Sequence, residues 1–167
     1  MKHRIRTLCS TVGGLLASLH RTTLAVVAVT LPLCVLGAEL IIDDGVVIKF
    51  NPGTSLVVRD KATLGNGVVF TSRADGSVGG QITQTSATPT VASWRGIRVE
   101  KSASSSGIKI DGTTIRYAGQ NDTPALSLRG VSPGIQYLQL TDNLLGLRLT
   151  DAASPAITGS RDRKSVV

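Results

Sequence analysis

The chain has 167 residues, a near-average composition and a formal charge of +7. Its length suits one domain. The charge is unevenly placed: between Glu39 and Ser160 there are 11 Lys/Arg and 10 Asp/Glu, so the body carries 11 − 10 = +1. A nucleic-acid binder needs a basic face in its folded part, and a near-neutral body argues against one.

The segment from Met1 to Ala38 reads as an export signal. Met1 to Arg6 is basic, Leu24 to Gly37 is an apolar run broken by Pro32, and the small residues Gly37 and Ala38 precede Glu39. A positive start, a short apolar core and a small-residue exit form the secretory pattern, and the expected conformation is a signal helix. Cleavage near Gly37 or Ala38 fits best. The alternative is an uncleaved N-terminal anchor, although the run is shorter than the ~20 residues of a spanning helix. Cys34 invites a lipid-modified cysteine, but Leu33 stands where a small residue is expected. Both cysteines (Cys9, Cys34) and both histidines (His3, His20) lie in this leader. A body without them has no disulfide, no Ser-His-Asp or Cys-His site, and no zinc site of the Cys/His type.

Short apolar runs punctuated by turn residues follow. Val46 to Phe50 is β-branched and ends at Asn51-Pro52-Gly53; Ser55 to Val58 is stopped by Arg59-Asp60-Lys61; Ala62 to Leu64 meets Gly65-Asn66-Gly67; Val68 to Thr71 comes next. These are strands of a winding chain rather than of long hairpins. Arg73 to Ser93 has no apolar period and reads as an excursion. Asp75 is its only charge after Arg73, too few for a carboxylate calcium cage. Trp94 closes it, either packing over a coil edge or offering a platform for a sugar. Gly107 to Tyr117 alternates apolar and polar on both sides of Asp111-Gly112. No window outside the leader carries a helical period.

Two tracks recur. Gly96-Ile97-Arg98-Val99, Ala125-Leu126-Ser127-Leu128 and Gly146-Leu147-Arg148-Leu149 share one pattern. Ser132-Pro133-Gly134-Ile135 returns as Ser154-Pro155-Ala156-Ile157, at nearly the interval that separates Ala125 from Gly146. Two tracks at nearly one period mean stacked coils. The expected fold is all-β, a right-handed parallel β-helix of about three to four coils spanning residues 39–160. The inward stripe is Ile97, Val99, Ile108, Leu126, Leu128, Ile135, Leu147, Leu149 and Ile157. Residues 161–167 break the pattern; Asp162 to Val167 resembles the translation of a sequencing adaptor, which points to a non-native tail and a chain cut within its solenoid.

These segments resemble bacterial secreted parallel β-helix proteins of pectin-lyase-like topology. The pattern runs from Gly45-Val46-Val47-Ile48-Lys49-Phe50 through Trp94-Arg95-Gly96-Ile97 and Ile115-Arg116-Tyr117-Ala118-Gly119 to the coil of Asn143 and Gly146-Leu147. The resemblance fixes fold more than function, because such coils carry adhesins, autotransporter passengers, coat proteins and polysaccharide enzymes alike.

Two readings of function follow. The first is an exported module, extracellular, on the outer surface or periplasmic, with a structural or adhesive role. Its partners would be a polysaccharide, a cell-surface protein or, edge to edge, another copy, with no nucleic acid, no cofactor and no metal; the membrane enters only through the leader. Trp94 is then the candidate ligand-binding residue. The second is a polysaccharide lyase or glycoside hydrolase. A hydrolase needs two carboxylates across the scissile bond and a lyase needs a basic proton acceptor. The candidates are Asp111, Asp142, Arg116 and Arg148, with Asp122 and Asp151 behind them. Asp111 and Asp142 stand at turn positions where Asp caps its own backbone. Arg98, Arg116 and Arg148 occupy alternate strand positions, facing solvent or forming a basic ladder. The lack of conventional catalytic side chains favours the non-catalytic reading.

Overall fold

The computed structural model describes residues 5–8, 27–29, 33–35, 39–82, 88–101 and 103–163. Three strands precede the coils: β1 (Ile5–Leu8), β2 (Val27–Val29) and β3 (Leu33–Val35). Four complete coils follow, each of three strands. The first holds β4 (Glu39–Ile42), β5 (Val47–Phe50) and β6 (Leu56–Val58). The second holds β7 (Lys61–Leu64), β8 (Val69–Ser72) and β9 (Ile97–Val99). The third holds β10 (Ile108–Asp111), β11 (Thr114–Arg116) and β12 (Leu126–Arg129). The fourth holds β13 (Gly134–Gln136), β14 (Gln139–Thr141) and β15 (Leu147–Thr150). A fifth coil begins with β16 (Ala156–Thr158) and β17 (Arg161–Arg163).

Like strands of successive coils stack into three sheets. Sheet A runs β1-β4-β7-β10-β13-β16, sheet B runs β2-β5-β8-β11-β14-β17, and sheet C runs β3-β6-β9-β12-β15. Every pairing among the described strands is parallel except β1 with β4. The protein is therefore a three-faced parallel β-helix. Parallel neighbours need a long crossover, and here the other two sides of each coil provide it, so no helix is required. Rungs lie ~4.8 Å apart, and inward positions form ladders. Sheet A stacks Ile42, Leu64, Ile110 and Ile135, while sheet B stacks Ile48, Phe70, Ile115 and Leu140, all buried.

Most of the expected inward stripe is buried, but not all of it. Leu147 is partly covered, whereas Leu149 and Ile157 are 43% and 42% exposed. Both keep the inward register, opposite Leu128 and Ile135. They belong to the last strands of their sheets, so among the described residues no further rung lies over them.

The two ends of the chain depart from expectation. The described residues of the leader are strands, paired with β4, β5 and β6, in place of the expected signal helix. The cleavage point read at Gly37 and Ala38 lies outside the described residues. Among the described residues no helix is long and apolar enough to cross a membrane. At the other end, Arg161–Arg163 continues the coil instead of leaving it, pairing parallel with β14. Asp162 then stands in register with Leu140, a carboxylate at an apolar rung position. The stretch 164–167 lies outside the described residues.

Candidate functional site

A cluster of charged side chains sits on the outer face of sheet B, under the first part of the excursion that begins at Arg73. On β5, Ile48 and Phe50 point into the core, so Lys49 between them points out. It is nevertheless fully buried. Residues 75–80 of the excursion fold back over it, and Lys49 Nζ donates to the carbonyl oxygens of Asp75 and Gly80. Burial pushes its pKa below the usual lysine value, against the opposing pull of the Asp75 charge. Neutral Lys is the form that burial favours.

Asp75 is 1% exposed and has a donor on each side. Its Oδ2 accepts from Thr71 Oγ1 at 2.7 Å and lies 3.4 Å from Arg116 Nη1. Its Oδ1 accepts from the Ser77 amide at 3.0 Å and from Ser77 Oγ at 2.6 Å. The two bonds to Ser77 make an Asx turn, the local reason an Asp with Ser two places on folds this way. Burial alone would raise the carboxyl's pKa. The hydrogen bonds from Ser77 and Thr71, with the charge of Arg116, outweigh it and hold the pKa below the ordinary aspartate value.

Arg116, from β11, joins three coils. Its Nη1 donates to Ser77 Oγ at 3.2 Å and its Nη2 to Tyr117 Oη at 3.0 Å, with Asp142 Oδ2 at 4.0 Å. Its guanidinium lies 5.0 Å from the Tyr117 ring centroid, close enough for a cation–π contact. Tyr117 and Asp142 both take left-handed backbone, φ 58° and 57°, at the corner from sheet B to sheet C. Just beyond, buried Asn143 bridges two rungs. Its Oδ1 accepts from the Ala118 amide at 2.8 Å and its Nδ2 donates to the Ile115 carbonyl at 2.9 Å.

Of the four candidate catalytic residues, the fold brings Arg116 and Asp142 together and keeps the others apart. Asp111 is exposed at the end of β10, on the corner from sheet A to sheet B. Arg148 is on sheet C, with Nη2 3.2 Å from the Asp122 carbonyl. Asp151 pairs with Arg129 at 2.8 Å. The three arginines do not make one ladder. Arg98 and Arg148 share a column on sheet C with Ser127 between them, and Arg116 is on sheet B. Arg98 is held by Glu100 at 2.7 Å.

Trp94 is 0% exposed. Its ring stacks on Phe50 at 4.1 Å and 5°, and its Nε1 donates to the Arg116 carbonyl at 2.8 Å. A fully buried ring has no face to offer a sugar, so the candidate ligand-binding role of Trp94 is withdrawn; it packs at the base of the excursion. Among the described residues no group of three His, Cys, Asp or Glu side chains converges on a metal position.

Sequence reasoning misses Lys49, although a signal is present. A lysine at the outward place of Val46-Val47-Ile48-Lys49-Phe50, with an apolar Val47 on the same face, calls for a covered face and an internal acceptor. Compared with family models, with curated proteins and with solved structures, the chain matches none. What the structure shows is the stack of parallel coils itself.

Proposed function

We propose that this chain is an exported structural or adhesive module, a rigid coil whose flanks meet a polysaccharide or a surface protein, and that it carries out no catalysis. The observation that supports this most is the state of the charged cluster. Lys49 is capped by two carbonyls, Asp75 is ringed by Thr71, Ser77 and Arg116, and Arg116 is shared between Ser77 and Tyr117. Groups engaged in this way fasten the excursion to the coil instead of awaiting a substrate. The leader pattern supports export to the extracellular space, the outer surface or the periplasm. The near-neutral body supports a partner other than nucleic acid. The pectin-lyase-like resemblance supports membership among secreted bacterial coils.

The second reading, a polysaccharide lyase or glycoside hydrolase, has one observation in its favour. The Arg116 side chain keeps 21% of its surface in solvent, with Asp142 beside it. Incubation of the purified chain with pectate, pectin and other uronates, with calcium, at neutral and alkaline pH separates the two. The expected result is no unsaturated product and no new reducing ends, together with retention on cell surfaces or glycan arrays. Turnover abolished by Arg116→Ala would replace the structural reading with the enzymatic one.

A further inference from the structure

We infer that the outer face of sheet A carries a stacking site for a neutral glycan, with Tyr137 as its platform. This rests on the adhesive reading and gives that reading a ligand class. Tyr137 is the most exposed of the large apolar side chains among the described residues, at 59%. It sits at the corner after β13 with φ 51°, a left-handed conformation costly for an aromatic residue. Extending the strand register by one residue places Gly112 on the rung before it and Gly159 on the rung after. The ring therefore stands in a column with no side chain on either neighbour. It leans over Gly159, where a Cβ would lie 2.6 Å from ring carbons. A flat, exposed ring with a hydroxyl at its tip suits the apolar face and the hydroxyl rim of a pyranose.

A groove lies on the same strand. An open depression of about 290 Å³ on sheet A is lined by Ser105, Ser106, Lys109, Gly134 and Gln136 with Ile108 and Ile110, and Gln136 of that lining immediately precedes Tyr137 in the chain. That is near the small end of the ~300–1,000 Å³ typical of ligand sites. Gly134 lies directly across from Lys109 in the ladder and leaves the floor clear. Serine hydroxyls, a glutamine amide and an ammonium line the walls, which are donors and acceptors for sugar hydroxyls. Asp111 faces Gln136 across the ladder, and its charge offsets that of Lys109, so the face favours neither sign. A neutral sugar chain fits this better than an acidic one, and lying along the groove it would end on the Tyr137 ring.

The test uses the full chain against immobilised β-1,3-glucan, β-1,4-glucan and galactomannan, with polygalacturonate as the acidic comparison. Binding to at least one neutral polymer, unchanged between low and high salt, is expected. Tyr137→Ala should weaken it about tenfold, the scale of one lost stacked face, and Tyr137→Phe should retain most of it. Tyr137→Asn also removes the ring but tolerates the left-handed backbone, so it distinguishes a lost platform from a disturbed corner. Equal binding by the folded Ala and Asn variants overturns the site and leaves the adhesive reading standing. Binding to no neutral polymer, or salt-sensitive binding to polygalacturonate alone, also overturns the site. The adhesive reading itself falls on other results: retention on neither cell surfaces nor glycan arrays, or turnover of a uronate that Arg116→Ala abolishes.

Discussion

Replacing Asp75 tests whether the charged cluster fastens the excursion to the coil. In Asp75→Ala, Thr71 Oγ1, the Ser77 amide and Ser77 Oγ all lose their acceptor, and Thr71 is fully buried. Removing one member of a buried, hydrogen-bonded charge pair costs about 3–5 kcal/mol. Arg116 keeps 21% of its side chain in solvent, which relieves part of that penalty, so about 3 kcal/mol is expected. For a domain of this size that lowers Tm by about 6–12 °C. Asp75→Asn keeps the shape and the bonds from Ser77 but turns an amide towards Thr71 and Arg116, for about 1–2 kcal/mol.

The effect should depend on pH with a definite sign. The folded pKa of Asp75 is depressed, so as pH falls the unfolded chain, with an aspartate pKa of ~3.9, takes up the proton first. The stabilisation is complete above that range and lost as pH drops through the lower folded value. Urea unfolding of wild type and Asp75→Asn from pH 7 to pH 2 should therefore converge at the acid end. The Ser77 amide should lose protection from hydrogen exchange in Asp75→Ala before the core strands do. A loss below about 1 kcal/mol in Asp75→Ala, or a wild-type-minus-variant difference that does not shrink in acid, would refute the fastening role.

Trp94→Ala should cost about 3–5 kcal/mol by emptying a core site stacked on Phe50, measured by equilibrium unfolding. In the wild type, Trp94, the sole tryptophan, should fluoresce at short wavelength and shift red on unfolding. Asn143→Leu should cost about 2–4 kcal/mol, because it leaves the Ala118 amide and the Ile115 carbonyl without their partner; thermal unfolding reads this out. Gly96→Ala should fail to accumulate as folded protein, since its φ is 86° and a Cβ would overlap the Pro124 carbonyl oxygen. Arg129→Ala should leave Tm unchanged, its pair with Asp151 being exposed.

The coil is written in the amino-acid order alone. A strand's inward positions must be apolar and its corners must turn, so Leu126 to Leu128 and Leu147 to Leu149 repeat at the length of one circuit, and that length is visible in one dimension. The same pattern fails at the second coil, where the step along sheet C from Leu56 to Ile97 is far longer than the step from Leu126 to Leu147. The excursion from Arg73 to Ser93 lies inside that longer step and hides the period. Which side chains meet across the excursion follows from the stacking instead. Lys49 and Asp75 are 26 residues apart and are joined by a fold-back that no local rule dictates. Burial is likewise a property of the stack: Ile135 and Ile157 have the same local pattern and the same ladder position. A rung above hides the first, and the second stands open because burial depends on the neighbouring rung rather than on the residue's own coil.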